Sequence, residues 1–135
     1  MKTLSSALLL SCLLATSACS AEPGTDNIAK KWTGVVKKGQ EPVPLTMQLT
    51  SVQIGATAGT IKWGEPYRCT SQLEYVTQEN AEWIFTLRKG YGSFCDSVNG
   101  GKVYLKYGPG KTLQYRLLSP KDRSTLQETQ LTVTP

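Results

Sequence analysis

Apolar and polar side chains alternate with a period of two from residue 32 onward. The clearest run lies between residues 43 and 50, where Val43, Leu45, Met47 and Leu49 alternate with Pro, Thr and Gln. A period of two is typical of a β-strand that buries one of its faces. The pattern therefore predicts strands, and no segment shows a convincing helical period.

The same alternation recurs along the chain and predicts seven or eight short strands. Turn-forming residues separate them, and every connection is short enough to join antiparallel neighbours. A strand with one apolar face requires a sheet that closes or folds onto itself. We therefore expect an all-β domain, either a small antiparallel barrel or a two-sheet sandwich. The predicted strands cover residues 32–36, 43–50, 59–63, 67–75, 81–88, 102–107, 113–117 and 126–133.

The first predicted strand opens with Trp32-x-Gly34. This pattern is similar to the opening of the meander in avidin-like and lipocalin-like barrels. The resemblance consists of two residues, and we infer no ligand from it.

The N-terminus has the features of a secretory signal peptide. Lys2 precedes an apolar stretch over residues 4–15, and small residues follow it. This stretch is shorter than the roughly 20 apolar residues that a transmembrane helix needs. It matches the hydrophobic region of a signal peptide, and we expect residues 1–18 to be removed.

The sequence Ala15-Thr16-Ser17-Ala18-Cys19 resembles the lipobox of bacterial lipoproteins and departs from it at Thr16. The resemblance implies that acyl chains, palmitate among them, are attached to Cys19. Ser20 after the cysteine implies sorting to the outer membrane, facing the periplasm or the surface. Ordinary signal cleavage after Ala18 or Ala21 is the alternative, and it would release the protein into the periplasm.

We expect residues 19–29 to form a lipidated cysteine with a polar tether, and residues 30–135 to form a single β-domain. Two cysteines then remain for that domain, Cys69 and Cys95. In an oxidising compartment such a pair predicts one disulfide bond. The chain has no Cys-x-x-Cys motif, which argues against a redox or metal pair.

The 135-residue chain contains no histidine. This excludes Ser-His-Asp and Cys-His catalytic sets and histidine-ligated metal sites. Among the carboxylates, Glu74 and Glu82 could approach each other across a hairpin, but we expect arginines to pair with them at the surface. The sequence thus predicts a protein that is not an enzyme, with no cofactor and no metal.

The stretch from Arg88 to Asp96 is the strongest candidate for a binding site. Two aromatic side chains lie there among glycines, cations and Cys95. Aromatic side chains on a pinned polar loop make good interface anchors. Phe94 has a second interpretation, in which it folds inward as a lid. The predicted partner-binding residues are Arg88, Lys89, Tyr91, Ser93 and Phe94.

The net charge is +5, and +4 without residues 1–18. A basic domain favours anionic partners. The expected location in the cell envelope argues against a nucleic-acid partner. We expect a cell-envelope lipoprotein that binds a protein partner as an inhibitor, an immunity-type protector or an assembly accessory. The alternative is a barrel that binds an anionic lipid or holds a small molecule between inward aromatic residues, namely Trp32, Trp63, Tyr67, Tyr75, Trp83 and Tyr115.

Overall fold

The computed structural model describes residues 24–135, which form a closed antiparallel β-barrel of eight strands. The all-β prediction is confirmed, and the barrel is the correct one of the two predicted architectures. The predicted signal peptide and Cys19 lie outside the described residues.

Each strand pairs with the next along the chain, and the last pairs with the first. The connections are hairpins and short loops, apart from one segment that contains a helix between the fifth and sixth strands. The strands are β1 (Lys31–Lys38), β2 (Glu41–Leu49), β3 (Thr57–Trp63), β4 (Cys69–Glu79), β5 (Glu82–Arg88), β6 (Lys102–Tyr107), β7 (Thr112–Leu118) and β8 (Thr125–Val133).

Side chains that point inward fill the barrel. An eight-stranded barrel is just wide enough for its interior to be occupied by side chains, and here the bulkiest residues do so. The largest of them are at most 2% exposed: Trp32, Trp63, Tyr75, Phe85 and Tyr115.

The alternating strand direction places all connections at two ends of the barrel. The N-terminal end consists of residues 24–30, 50–56, 80–81 and 108–111. The helix end consists of residues 39–40, 64–68, 89–101 and 119–124.

A 3-10 helix, Asp26–Ile28, closes the N-terminal end. Ile28 is fully buried, and its carbonyl accepts a hydrogen bond from Trp32 Nε1 at 3.0 Å. Thr25 is also buried, and its hydroxyl donates to the carbonyl of Thr50. The second half of the predicted tether therefore packs on the barrel, because Ile28 supplies an apolar side chain that covers this end.

None of the helices within residues 24–135 is long and apolar enough to cross a membrane.

The seam between β1 and β8 is the shortest ladder of the barrel. Only Trp32 and Thr33 of β1 have register partners on β8, whereas all eight residues of β1 have partners on β2. Beyond that pair, the Thr129 hydroxyl donates to the carbonyl of Val35 at 2.8 Å. A side chain thus takes the place of a backbone partner where the two strands continue towards the helix end.

The helix end as a candidate binding surface

Residues 89–101, which we call the capping segment, cover the helix end of the barrel. The sequence predicts a glycine-rich loop here, but the segment contains a short helix, α1 (Ser93–Val98). Cys95 and Val98 are buried on the barrel side of this helix. Six residues are too few for a helical period to stand out from a sequence, which explains why the helix was not predicted.

The predicted disulfide bond is confirmed. Cys69 begins β4 and Cys95 lies in α1, so the bond ties the capping segment to the barrel wall across 26 positions of sequence. Cys69 is 5% exposed and Cys95 is fully buried. The bond thus fixes the far side of the loop that carries Tyr91.

A side-chain clamp holds the two flanks of the capping segment together. The Asn99 side chain accepts a hydrogen bond from the Gly90 amide at 2.9 Å and donates one to the Gly90 carbonyl at 3.1 Å. A Cβ atom on Gly90 would lie 2.4 Å from Ser71 Oγ and 2.9 Å from Cys95 Cβ. Only glycine allows this close approach at position 90. The clamp also means that the stretch between Gly90 and Asn99, which includes α1, is fixed at both ends.

Phe94 folds inward, as in the second of the two interpretations of this residue. Its ring stacks on Tyr67 with the centroids 3.9 Å apart, and meets the edge of Trp63 at 5.1 Å. Phe94 is half-buried. Tyr67 lies in the loop before β4 rather than in the strand, and its partial burial raises the pKa of its hydroxyl. The two stacked rings help to close the helix end.

Tyr91 is the most exposed large hydrophobic side chain in the described part of the chain, at 79%. Gly92, which follows it, has a φ of +104° and precedes α1. A Cβ on Gly92 would lie 3.4 Å from Cys69 Cβ, so this part of the loop lies against the disulfide. Ser93 is exposed at the first turn of α1. The capping segment thus presents one large aromatic ring to solvent on a fixed backbone.

Exposed cations lie at the same end of the barrel as Tyr91. Arg88 is exposed and lies 3.6 Å from the Glu74 carboxylate, whereas Lys89 has no salt bridge among the described residues. Lys38 lies 5.5 Å from the centre of the Tyr67 ring. Four of the five predicted binding residues, Arg88, Lys89, Tyr91 and Ser93, are therefore exposed at one end of the barrel, whereas the Phe94 ring packs against Tyr67 and Trp63.

The two carboxylates considered for catalysis are each paired with an arginine. Glu74 faces Arg88, and Glu82 faces Arg116 at 3.3 Å across β6. Within residues 24–135, no group of three or more Cys, Asp or Glu side chains is placed to hold a metal ion.

The barrel interior contains a polar cluster that the sequence analysis missed. Gln127 Oε1 accepts hydrogen bonds from Trp63 Nε1 at 3.1 Å and from the Tyr115 hydroxyl at 3.0 Å. Burial raises the pKa of Tyr115 far above its usual range. Ser71 Oγ is buried and has no hydrogen-bond partner within residues 24–135. Trp63 and Tyr115 fill the interior and bond to Gln127, which weakens the idea that they line a small-molecule site.

A cavity of about 310 Å³ lies on the outer wall of the barrel. Arg116 is central to it, because its guanidinium lies 3.3 Å from Glu82 and 4.7 Å from the centre of the Tyr104 ring. Two acidic and two basic side chains line this cavity, so its charges balance. Arg116 already contacts Glu82 and Tyr104 within the chain. The lining residues are Glu82, Tyr104, Lys106, Gln114, Tyr115, Arg116, Glu128, Thr129 and Gln130.

Comparison of the chain with protein-family models, with curated proteins and with solved structures finds no match.

Proposed function

We propose that this protein is a non-enzymatic lipoprotein of the bacterial cell envelope, and that the helix end of its barrel binds a protein partner. The observation that supports this most strongly is Tyr91, an exposed aromatic ring on a backbone fixed by a disulfide and by the Asn99 clamp. A pre-organised aromatic anchor loses little conformational entropy on binding. Inhibition, immunity-type protection and assembly are the roles that fit such a module.

The proposed anchor is a lipid on Cys19. The barrel begins close to that position, because Thr25 and Ile28 already pack on it. More than one acyl chain on a cysteine gives stable membrane attachment. The proposed location is the outer membrane, on its periplasmic or surface side.

A binding role is favoured over catalysis by the state of the charged groups. The carboxylates of Glu74 and Glu82 each form an ion pair with an arginine. The sequence offers no histidine to act as a base. The exposed residues of the helix end include Tyr91, Arg88 and Arg123, and aromatic residues and arginine are enriched at protein interfaces.

The intact mass of the mature protein from its native membrane tests the anchor. We expect cleavage before Cys19 and an added mass that corresponds to a diacylglycerol group and a further acyl chain. An unmodified chain that begins at Ser20 or later, or at an unacylated Cys19, would contradict it.

Affinity capture from envelope extracts tests the binding surface. We expect a Tyr91→Ala, Phe94→Ala double variant to lose the partner that the wild-type domain retains. Ile54→Ala is the matched control, because Ile54 is 41% exposed in a loop at the opposite end of the barrel. Retention of the same partner by all three proteins would rule out the capping segment as the binding surface.

A further inference from the structure

The link between Cys19 and the barrel determines which end of the molecule lies near the anchoring membrane. The described chain begins at Gly24, whose carbonyl accepts a hydrogen bond from Trp83 Nε1 at the N-terminal end of the barrel. Five peptide steps separate Cys19 from Gly24, and a chain of that length spans at most about 18 Å. A lipid on Cys19 therefore holds the N-terminal end close to the bilayer.

The helix end lies beyond the reach of this link. β1 has eight residues, which rise about 26 Å along the strand. A strand tilt of about 40° leaves about 20 Å of that length along the barrel axis. The 3-10 helix at one end and the capping segment at the other add to this height. Tyr91 therefore lies at the end of the barrel that is farther from the anchor.

The charge of the helix end is predominantly positive. Arg68 pairs with Glu65, whereas Asp122 keeps its negative charge, because two hydrogen bonds from Ser124 lower its pKa. Two further exposed acids, Glu41 and Asp96, lie at this end. They are outnumbered by exposed cations that have no salt bridge in the described part of the chain: Lys37, Lys38, Lys89, Lys121 and Arg123.

We infer that the anchored protein presents its helix end to the aqueous compartment and binds there an acidic surface of its protein partner. This inference rests on the proposed function and adds the orientation of the site and the charge of the partner. Complementary charges around an interface steer the encounter and exclude wrong partners. Tyr91 would occupy the centre of the contact, and the surrounding lysines would form its rim.

A fluorescence experiment tests the orientation. Lys111 and Lys121 are exposed and lie at opposite ends of β7, at the N-terminal end and the helix end respectively. Each is changed to cysteine in the lipidated protein, labelled with a fluorophore and reconstituted in phosphatidylcholine vesicles that carry a quencher on the lipid headgroup. We expect loss of emission from the label at position 111 and none from the label at position 121. Equal quenching of the two labels, or stronger quenching at 121, would overturn the inference.

Vesicles that also contain phosphatidylglycerol test the membrane as the competing anionic ligand. If the ligand is an acidic protein, we expect the label at position 121 to stay unquenched in these vesicles as well. Quenching at 121 only when the anionic lipid is present would show that the helix end binds lipid headgroups, and would contradict a protein partner.

Charge reversal tests the acidic surface of the captured partner. We expect a Lys89→Glu, Lys121→Glu variant to bind the partner about tenfold more weakly, which corresponds to about 1.4 kcal/mol. Lys106→Glu, Lys111→Glu is the matched control and should bind as the wild type does. If Tyr91→Ala abolishes capture while both charge variants bind normally, the proposed function stands and the acidic partner is wrong.

Discussion

At the scale of single residues, Gln127 connects three strands in the barrel core. Its side-chain oxygen accepts hydrogen bonds from Trp63 on β3 and from Tyr115 on β7. Gln127 itself lies on β8 and is 7% exposed. A buried donor without a partner costs more free energy than its hydrogen bond contributes. We therefore expect Gln127 to contribute more to the stability of the fold than the size of its side chain suggests.

We expect Gln127→Ala to lower the free energy of unfolding by about 2–4 kcal/mol, because two buried donors lose their acceptor. Urea denaturation measures the change. Gln114→Ala is the control, because Gln114 is exposed on β7, and its loss should stay below about 1 kcal/mol. Equal losses in the two variants would contradict the structural role of the cluster.

Because of Tyr115, the free energy of unfolding is expected to depend on pH in the alkaline range. Its pKa is raised by burial, whereas the same side chain in the unfolded protein titrates near 10. Above about pH 10 the unfolded state has therefore lost a proton that the folded state keeps. The stability then falls with rising pH, by up to about 1.4 kcal/mol per pH unit from this group, and below that pH the group contributes no slope.

Urea denaturation at several pH values between about 9 and 11 tests this titration. The slope of unfolding free energy against pH above 10 should be shallower for Tyr115→Phe than for the wild type. Parallel slopes would show that Tyr115 ionises in the folded protein as it does in the unfolded chain.

The position of Gln127 also shows why the sequence could not predict the cluster. In β8 the apolar residue Leu126 is 46% exposed and its polar neighbour Gln127 is buried. Leu126 and Leu131 have opposite parity, so no alternation identified the inward face of the strand. The register shifts between Leu117 and Leu118 on the neighbouring strand, and a bulge of this kind is invisible in a hydropathy pattern.

At the scale of elements, the capping segment depends on the disulfide. α1 has only six residues, and an isolated helix of that length is unstable in water. Its place on the barrel comes from Cys95, from the Asn99 clamp and from the stacking of Phe94 on Tyr67. The element is thus held by tertiary contacts rather than by its own helical propensity.

We expect a Cys69→Ser, Cys95→Ser variant to lose about 3–4 kcal/mol of unfolding free energy, as the chain-entropy model gives for a loop of this length. Limited proteolysis should then cut first within residues 89–101, before any strand is cleaved. A loss below about 1 kcal/mol with an unchanged cleavage pattern would show that the other contacts hold the segment without the bond.

The β1–β8 seam is expected to open before the rest of the barrel. Hydrogen exchange should be faster for those amides of residues 35–38 and 126–130 that point towards the seam than for amides in β4 and β5, because the former have no register partner across the seam. Backbone groups that lack ladder hydrogen bonds exchange through small local openings. Uniform protection of β1 and β5 would contradict this order.

The strands themselves were largely predictable and the capping elements were not. Alternation located β2 and β5 to within two residues, because the inward side chains from Val43 to Leu49 and from Trp83 to Leu87 are apolar and buried. The 3-10 helix at Asp26–Ile28 and α1 were not predicted. Each is too short to show a helical period in the sequence. Each is also stabilised by contacts with strands that are distant in sequence and come near only in the closed barrel.

At the scale of the whole molecule, the barrel is covered at both ends and filled with side chains. The exposed surface is therefore where we place its function, and the helix end combines a fixed aromatic ring with several cations. The sequence located this segment because glycines, aromatic residues and Cys95 coincide in it. It could not tell that Tyr91 faces solvent while Phe94 faces the barrel, since both follow a glycine or serine in the same loop.

Site-specific photo-crosslinking in cells tests the central claim most directly. A photo-reactive phenylalanine analogue replaces Tyr91 in one variant and Ile54, at the opposite end of the barrel, in the other. We predict one discrete crosslinked protein from position 91 and none from position 54. A crosslinked protein from position 54 with none from position 91 would contradict the assignment of the helix end as the binding surface.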